Sequence, residues 1–247
     1  MDSVHDIWRR SYEAPALKAG DVHVWRVYLD RDSFYVRKLF GTLSSDERQK
    51  AESYHVDQDS NRFVVARGML RKILGSYLSL SPNRISFSYD RYGKPFLDSA
   101  DNSFRFNVAH SQERALIAVA RGREVGVDVE FVDKKVEIFK IAQRIFSPTE
   151  LSRLQILAFD LQATAFFRGW TRKEAYLKAV GTGFSEPKKQ LAGPVMPAEL
   201  FISDRTTGFE KLGDWTLTTL PFEQKYMAAL AVEGEIGTIG YHQMVTE

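Results

Sequence analysis

Two acidic motifs carry the chemistry that this sequence offers. Gly126-Val127-Asp128-Val129-Glu130 has the alternation of a strand, and Trp170-Thr171-Arg172-Lys173-Glu174-Ala175-Tyr176-Leu177-Lys178 has the composition of a helix. Alternate side chains of a strand share a face, so Asp128 and Glu130 point one way while Val127 and Val129 point into a core. Residues four apart on a helix are stacked neighbours, which puts Glu174 and Lys178 together. If that helix packs on that strand, three carboxylates and one ammonium converge. Three carboxylates suit a hard cation, Mg²⁺ above all, and Mg²⁺ sites commonly hold phosphate-bearing substrates. The spacing therefore points to chemistry on a phosphate ester or anhydride. Each motif also has a plainer reading. Acidic residues line the solvated face of many strands, and Glu–Lys pairs decorate exposed helices. Trp170 and Leu177 weigh against the plainer reading of the helix. They lie seven apart and share the face of Glu174, and a charged pair on an apolar face needs partners or a cation.

Composition narrows the class. The chain has 247 residues, enough for one large or two small domains, and a hydrophobic share of 44% supports a real core. A net charge of +2 argues against a general nucleic-acid coat. No apolar run reaches the length of a membrane span, and the first residues, MDSVHD, lack the basic and apolar segments of a secretory signal. Cysteine is absent, which excludes disulfides, thiolate metal sites and cysteine nucleophiles. These features predict a cytoplasmic protein that binds neither nucleic acid nor membrane.

The elements that must position the motifs follow from periodicity. Strands are predicted at 22–29, 85–89, 104–109, 115–121, 125–132, 215–220, 226–232 and 238–244. Helices are predicted at 44–54, from about Ser60 to Leu74 with Gly75 as a stop, over Ile138 to Ile145, from Ser147-Pro148-Thr149-Glu150, and over the segment that holds Trp170 to Ala179. Gly181-Thr182-Gly183 ends the last of these. The expected fold class is α+β. Two pseudo-symmetric lobes of similar size, 1–121 and 122–247, each carry a small antiparallel sheet with helices, and the active site lies in the cleft between them.

Three further segments add cations and a strand end. Arg62 lies on the second helix. Tyr92-Gly93-Lys94-Pro95 reads as a turn that could lay its backbone and an ammonium against a nucleotide. Phe106-Asn107-Val108-Ala109-His110-Ser111 ends a strand at a histidine. Taken in order, Arg62, Gly93-Lys94-Pro95, the His110 segment, Gly126-x-Asp128-x-Glu130 and Trp170-x-x-Lys173-Glu174-x-x-x-Lys178 resemble the 4′-phosphopantetheinyl transferases of the large two-lobed type. The resemblance is strong over residues 44–184 and general elsewhere.

That resemblance implies a reaction. Such enzymes move the 4′-phosphopantetheine arm of coenzyme A onto a serine of an apo carrier protein and release 3′,5′-ADP. The reaction label is holo-[acyl-carrier-protein] synthase, and the acceptors are acyl, peptidyl or polyketide carriers. Carried over residue by residue, Asp128, Glu130 and Glu174 would be the Mg²⁺ ligands. Glu174 and Lys178 would be the catalytic pair, with Lys178 on the pyrophosphate and Glu174 taking the serine proton directly or through a water. Lys50, Arg62, Gly93, Lys94, Pro95 and His110 would bind coenzyme A, together with Asp128 and Lys178. Glu47 stands where some relatives have a basic residue, and Ala109 where a serine is common. The loop Gly181-Thr182-Gly183-Phe184-Ser185, with Lys188 and Lys189 behind it, would face an acidic carrier. The enzyme is expected to be a monomer. Two other readings stay open: another Mg²⁺-dependent phosphoryl-transfer or pyrophosphate-cleaving enzyme, and a carrier-binding module without catalysis.

Overall fold

The computed structural model describes residues 7–98, 103–181 and 208–245. Two sheets lie face to face at its centre. The first has the order β1 (Arg9–Ser11), β11 (Ile239–Met244), β2 (Val22–Tyr28), β6 (Arg114–Arg121) and β5 (Phe104–Ser111). The second runs β7 (Val125–Phe131), β10 (Tyr226–Glu233), β9 (Trp215–Thr219) and β8 (Glu210–Leu212). A hairpin of β3 (Phe87–Tyr89) and β4 (Pro95–Leu97) stands apart from both.

Strand alternation decides which layer each residue enters. Val22 and Val24 of β2 join Leu116, Ala118, Val125, Val127 and Val129 in a buried cluster between the sheets. Trp25 and Val27 face the other way, into a cluster with the first three helices: α1 (Ser33–Phe40), α2 (Ser45–Glu52) and α3 (Asp57–Leu78). On the far side of the second sheet lie α4 (Ile138–Ile145), α5 (Pro148–Ile156) and α6 (Phe159–Val180). Ala229 and Ala231 of β10 pack against these helices. The result is four layers, helix–sheet–sheet–helix, with each sheet buried on both faces. Fully burying a valine or leucine is worth about 1.5–3 kcal/mol, so the intersheet cluster fixes register strongly. A one-residue slip of β7 would drive Asp128 and Glu130 into that cluster in place of valines.

The helix starts follow local chemistry. Glu150 accepts from the Ser147 N–H at 2.6 Å while the Ser147 hydroxyl accepts from the Glu150 N–H at 3.3 Å, closing a capping box ahead of α5. Glu47 reaches back to the Ser44 N–H at 3.0 Å ahead of α2.

The α+β class and the two helix-and-sheet halves agree with the expectation. Several details differ. Gly75 does not end α3, which continues to Leu78 and stops at Ser79 in the left-handed region, φ 53°. Gly75 is needed for another reason: a Cβ there would lie 2.5 Å from the Leu80 carbonyl oxygen, where the chain folds back. β1, α1, β4 and β8 were not anticipated. The three strands span three residues each, too short for alternation to register. β11 leaves the second half and inserts into the first sheet between β1 and β2, parallel to both. The first sheet is thus antiparallel only over β2, β6 and β5, and the proposed lobe 122–247 lends it a strand.

Candidate active site

The site forms where α6 crosses β7, and a glycine permits the crossing. A Cβ at Gly126 would stand 2.0 Å from the Ala175 carbonyl oxygen and 2.4 Å from the Ala179 nitrogen. Only a hydrogen fits there, so the α6 backbone rests directly on the strand. This approach puts Glu174 and Lys178 over the face that carries Asp128 and Glu130.

Asp128 is buried, 3% exposed, and its Oδ1 accepts from the Lys178 Nζ at 2.6 Å. Its Oδ2 is buried without a hydrogen-bond partner. Burial pushes the Asp128 carboxyl up to about 6; Lys178 opposes the rise and Glu130 adds to it. Glu174 is pushed up to about 7, again by burial first, with Lys178 opposing and the charges of Asp128 and Glu130 adding. Two neighbouring carboxyls with raised values, countered by one lysine, form a cluster short of positive charge.

Glu130 is held at both oxygens. The Trp170 Nε1–H donates to Oε1 at 3.0 Å, and the Ser111 hydroxyl donates to Oε2 at 3.0 Å. Ser111 ends β5, the edge strand of the first sheet, and sits beside His110. The His110 ring opens onto the cleft, yet the surrounding protein holds its pKa below the ordinary 6.5, with the Lys178 ammonium acting the same way and Glu130 opposing. His110, Glu130 and Lys178 are therefore electrostatic neighbours. Residues from the first sheet and the second meet at this point, as the sequence predicts.

Beyond His110 a cavity of about 470 Å³ opens, lined by Arg62, Arg67, Asp59, Tyr54, Phe63 and Val108 among others. Arg62 forms a two-pronged pair with Asp30, Nε–Oδ1 2.7 Å and Nη2–Oδ2 2.9 Å. Lys50 lies outside the lining, with its ammonium 5.3 Å above the ring of Tyr54. Glu47 is buried and binds Arg67 and Arg71, each at 2.6 Å, so the acid at this position ties α2 to α3.

Lys94 is placed elsewhere. The turn at Gly93, φ +85°, closes the β3–β4 hairpin, and the Asp90 carboxylate accepts from the N–H groups of Tyr92 and Lys94. The Lys94 ammonium then donates to Glu124 at 2.9 Å and to the Ala179 carbonyl at the end of α6 at 3.0 Å. Lys94 and Pro95 line a second cavity of about 390 Å³ with Arg105, Glu124 and Gly181. Arg62 and Lys94 thus face different cavities, one lined by Val108 and His110 near the end of β5 and the other by Phe104, Arg105 and Phe106 near its start. Glu124 and Arg105, paired at 2.8 Å, had no sequence signal, because their role depends on packing between distant segments. Lys173 serves the framework, bonding Glu150 at 2.8 Å and the Ile145 carbonyl at 2.9 Å. Gly181 caps α6 in the left-handed region, φ 80°, while Thr182, Gly183, Phe184, Ser185, Lys188 and Lys189 lie outside the described residues.

The donor set suits a hard divalent cation: oxygen ligands only, an unpartnered buried oxygen on Asp128, and raised carboxyl values that a cation would relieve. Among the described residues, no three acidic or histidine side chains are already closed around one point. Lys178 supplies the counter-charge to Asp128 instead. No helix among these residues is long and apolar enough to cross a membrane.

Comparison with known proteins agrees with this geometry. Residues 124–230 match the family model of the 4′-phosphopantetheinyl transferase superfamily, and residues 33–121 match the model described as 4′-phosphopantetheinyl transferase, N-terminal. The chain is 36% identical over 222 residues to the 4′-phosphopantetheinyl transferase HetI of a Nostoc species, covering 88% of this chain and 90% of that protein. It is 30% identical over 166 residues to a 4′-phosphopantetheinyl transferase of Bacillus subtilis, covering 66% of this chain and 72% of that one. It is also 26% identical over 209 residues to the L-aminoadipate-semialdehyde dehydrogenase-phosphopantetheinyl transferase of Xenopus laevis, covering 78% of this chain and 69% of that one. A relative this similar over nine-tenths of its length, together with family models matched over residues 33–121 and 124–230, establishes that the chain belongs to the 4′-phosphopantetheinyl transferase family.

Proposed function

We propose that the cluster of Asp128, Glu130, Glu174 and Lys178 transfers the 4′-phosphopantetheine arm of coenzyme A to a serine of an apo carrier protein and releases 3′,5′-ADP. One observation carries the reading: the pair of buried Asp128 with half-buried Lys178 at 2.6 Å, one helical turn from Glu174, at the seam between the two sheets. The acceptors are acyl, peptidyl or polyketide carriers, and the acyl carrier reaction makes the enzyme a holo-[acyl-carrier-protein] synthase. Asp128, Glu130 and Glu174 would hold Mg²⁺, which when bound neutralises charge on the pyrophosphate oxygens.

The chain's own residues account for the rest. Arg62 and His110 face the larger cavity and bind phosphate oxygens there, while Lys94 and Pro95 border the smaller one and Gly93 shapes the turn that carries them. Lys50, at the rim, adds long-range attraction for an anionic substrate. The serine hydroxyl attacks the β-phosphorus of coenzyme A as the bond to the adenosine-side phosphate breaks. Glu174 accepts the hydroxyl proton, directly or through a water. The Lys178 ammonium stands beside Asp128 and meets the negative charge as it moves toward the leaving phosphate. No covalent enzyme intermediate is required.

The test is to incubate the protein with coenzyme A, Mg²⁺ and a panel of apo acyl, peptidyl and polyketide carriers and read each carrier's intact mass. A gain of one phosphopantetheine arm is expected on at least one carrier. Coenzyme A cleavage with no mass gain would favour a pyrophosphate-cleaving enzyme, and carrier binding with neither reaction would favour an inactive module.

A further inference from the structure

β7 is the edge strand of the second sheet and β5 the edge strand of the first, and they are not paired by a backbone ladder. Side chains join them instead. The Val127 N–H donates to the Asn107 Oδ1 at 3.0 Å, and the Phe131 N–H donates to the Ser111 Oγ at 3.0 Å. The spacing is four residues on each strand, so two side chains of β5 take the place of two ladder partners. An edge amide left bare and buried is costly, and these bonds remove that cost at both positions.

The second of these bonds reaches the acid cluster. A hydroxyl has one proton, and the Phe131 N–H can only donate, so the Ser111 Oγ accepts from Phe131 and gives its own proton to Glu130 Oε2. The indole of Trp170 can only donate, and it takes Glu130 Oε1. The carboxylate is thus gripped at each oxygen by a donor from a different element, β5 on one side and α6 on the other. A carboxylate offers about four lone-pair sites, so two remain after these bonds. Trp170 is itself stacked on Phe166, 6.1 Å between ring centroids, which limits the swing of the indole.

We infer that Ser111 and Trp170 are positioning residues that hold Glu130 in place for the cation, and that they make the cation site depend on the seam between β5 and β7. This rests on the reading that Asp128, Glu130 and Glu174 hold a divalent metal. Donors behind a ligating carboxylate are worth roughly 10–100-fold in metal affinity in other sites. Neither residue touches the reacting atoms, so their loss acts through Glu130.

The experiment measures Mn²⁺ binding to the full chain from the free-ion spin-resonance signal, with coenzyme A present, for wild type, Ser111→Ala, Ser111→Thr and Trp170→Phe. Coenzyme A affinity is measured separately in EDTA. The expected result is Mn²⁺ affinity about 10-fold weaker in Ser111→Ala and in Trp170→Phe, near wild type in Ser111→Thr, and metal-free coenzyme A affinity within about twofold throughout. Trp170→Phe keeps the ring packing and decides the matter if Ser111→Ala does not fold. Unchanged Mn²⁺ affinity in the folded variants, or an equal loss of coenzyme A affinity in EDTA, would overturn the inference. A wild-type protein that binds no Mn²⁺ would overturn the metal assignment beneath it, a result distinct from either of these.

Discussion

Lys178 answers two demands with one charge. It neutralises the buried Asp128 at rest, and in the proposed transfer it stands where charge moves. Arg62, by contrast, lines the cavity beyond His110 and pairs with Asp30 at the surface. Lys178→Ala is therefore expected to lower kcat by about 10²–10³ with a smaller effect on coenzyme A binding. Arg62→Ala is expected to raise KM for coenzyme A with kcat nearly kept. Steady-state kinetics with coenzyme A varied at saturating carrier separates the two, and a Lys178→Ala variant altered only in KM would contradict the assignment. The convergence of Asp128, Glu174 and Lys178 was legible because it needs only two periods, 2 for a strand and 3.6 for a helix. The partners of Arg62 and Lys94 were not. Asp30, Glu124 and the Ala179 carbonyl reach them through tertiary packing, which no local period encodes.

At the scale of elements, the crossing of α6 over β7 is the feature on which the site depends. Gly126→Ala would place a methyl within 2.0 Å of the Ala175 carbonyl, against a backbone that cannot step aside without moving the whole helix. A stability loss of about 3 kcal/mol is expected, with loss of transfer even in the folded fraction, read by urea denaturation and turnover. Wild-type stability in that variant would mean that α6 does not rest on the strand. β11 carries a different load. His242 on β11 and His23 on β2 face each other at 4.5 Å between ring centroids; His23 Nδ1 lies 2.6 Å from the Tyr77 hydroxyl, and His242 Nε2 is buried without a partner. Burial lowers His242 to about 4, with His23 and Arg9 adding to the effect, and burial lowers His23 against the opposing charge of Asp21. The His242 ring then stays neutral in the fold down to about 4 while the unfolded chain takes up protons from about 6.5 downward, and the lowered His23 acts in the same direction. Stability is full above that value and falls on acidification toward about 4, by at most about 1.4 kcal/mol per pH unit for His242. Urea midpoints at neutral pH and near about pH 5 should differ for wild type and differ less for His242→Gln. An equal slope in both proteins would refute this. The long strands and helices were legible from alternation and capping. β1, β4 and β8 were not, since three residues are too few to show a period.

At the scale of the whole molecule, both helix-and-sheet halves were foreseen, but the return of the chain was not. The sequence of β11 marks a strand and says nothing of which sheet it joins; pairing with β1 and β2 is decided by the edge that the first sheet leaves open. Deleting residues 239–247 should therefore unfold the first sheet, although the cluster of Asp128, Glu174 and Lys178 lies elsewhere, and soluble active truncated protein would contradict that topology. The measurement that tests the central claim most directly is a joint count of 3′,5′-ADP released and carrier serine modified, for wild type and for Glu174→Gln, at saturating Mg²⁺ and coenzyme A. One 3′,5′-ADP per modified carrier is expected from wild type, and a rate at least about 10²-fold lower from folded Glu174→Gln. Equal rates in the two proteins, or 3′,5′-ADP released without modification of the carrier, would contradict the transfer chemistry assigned to this cluster.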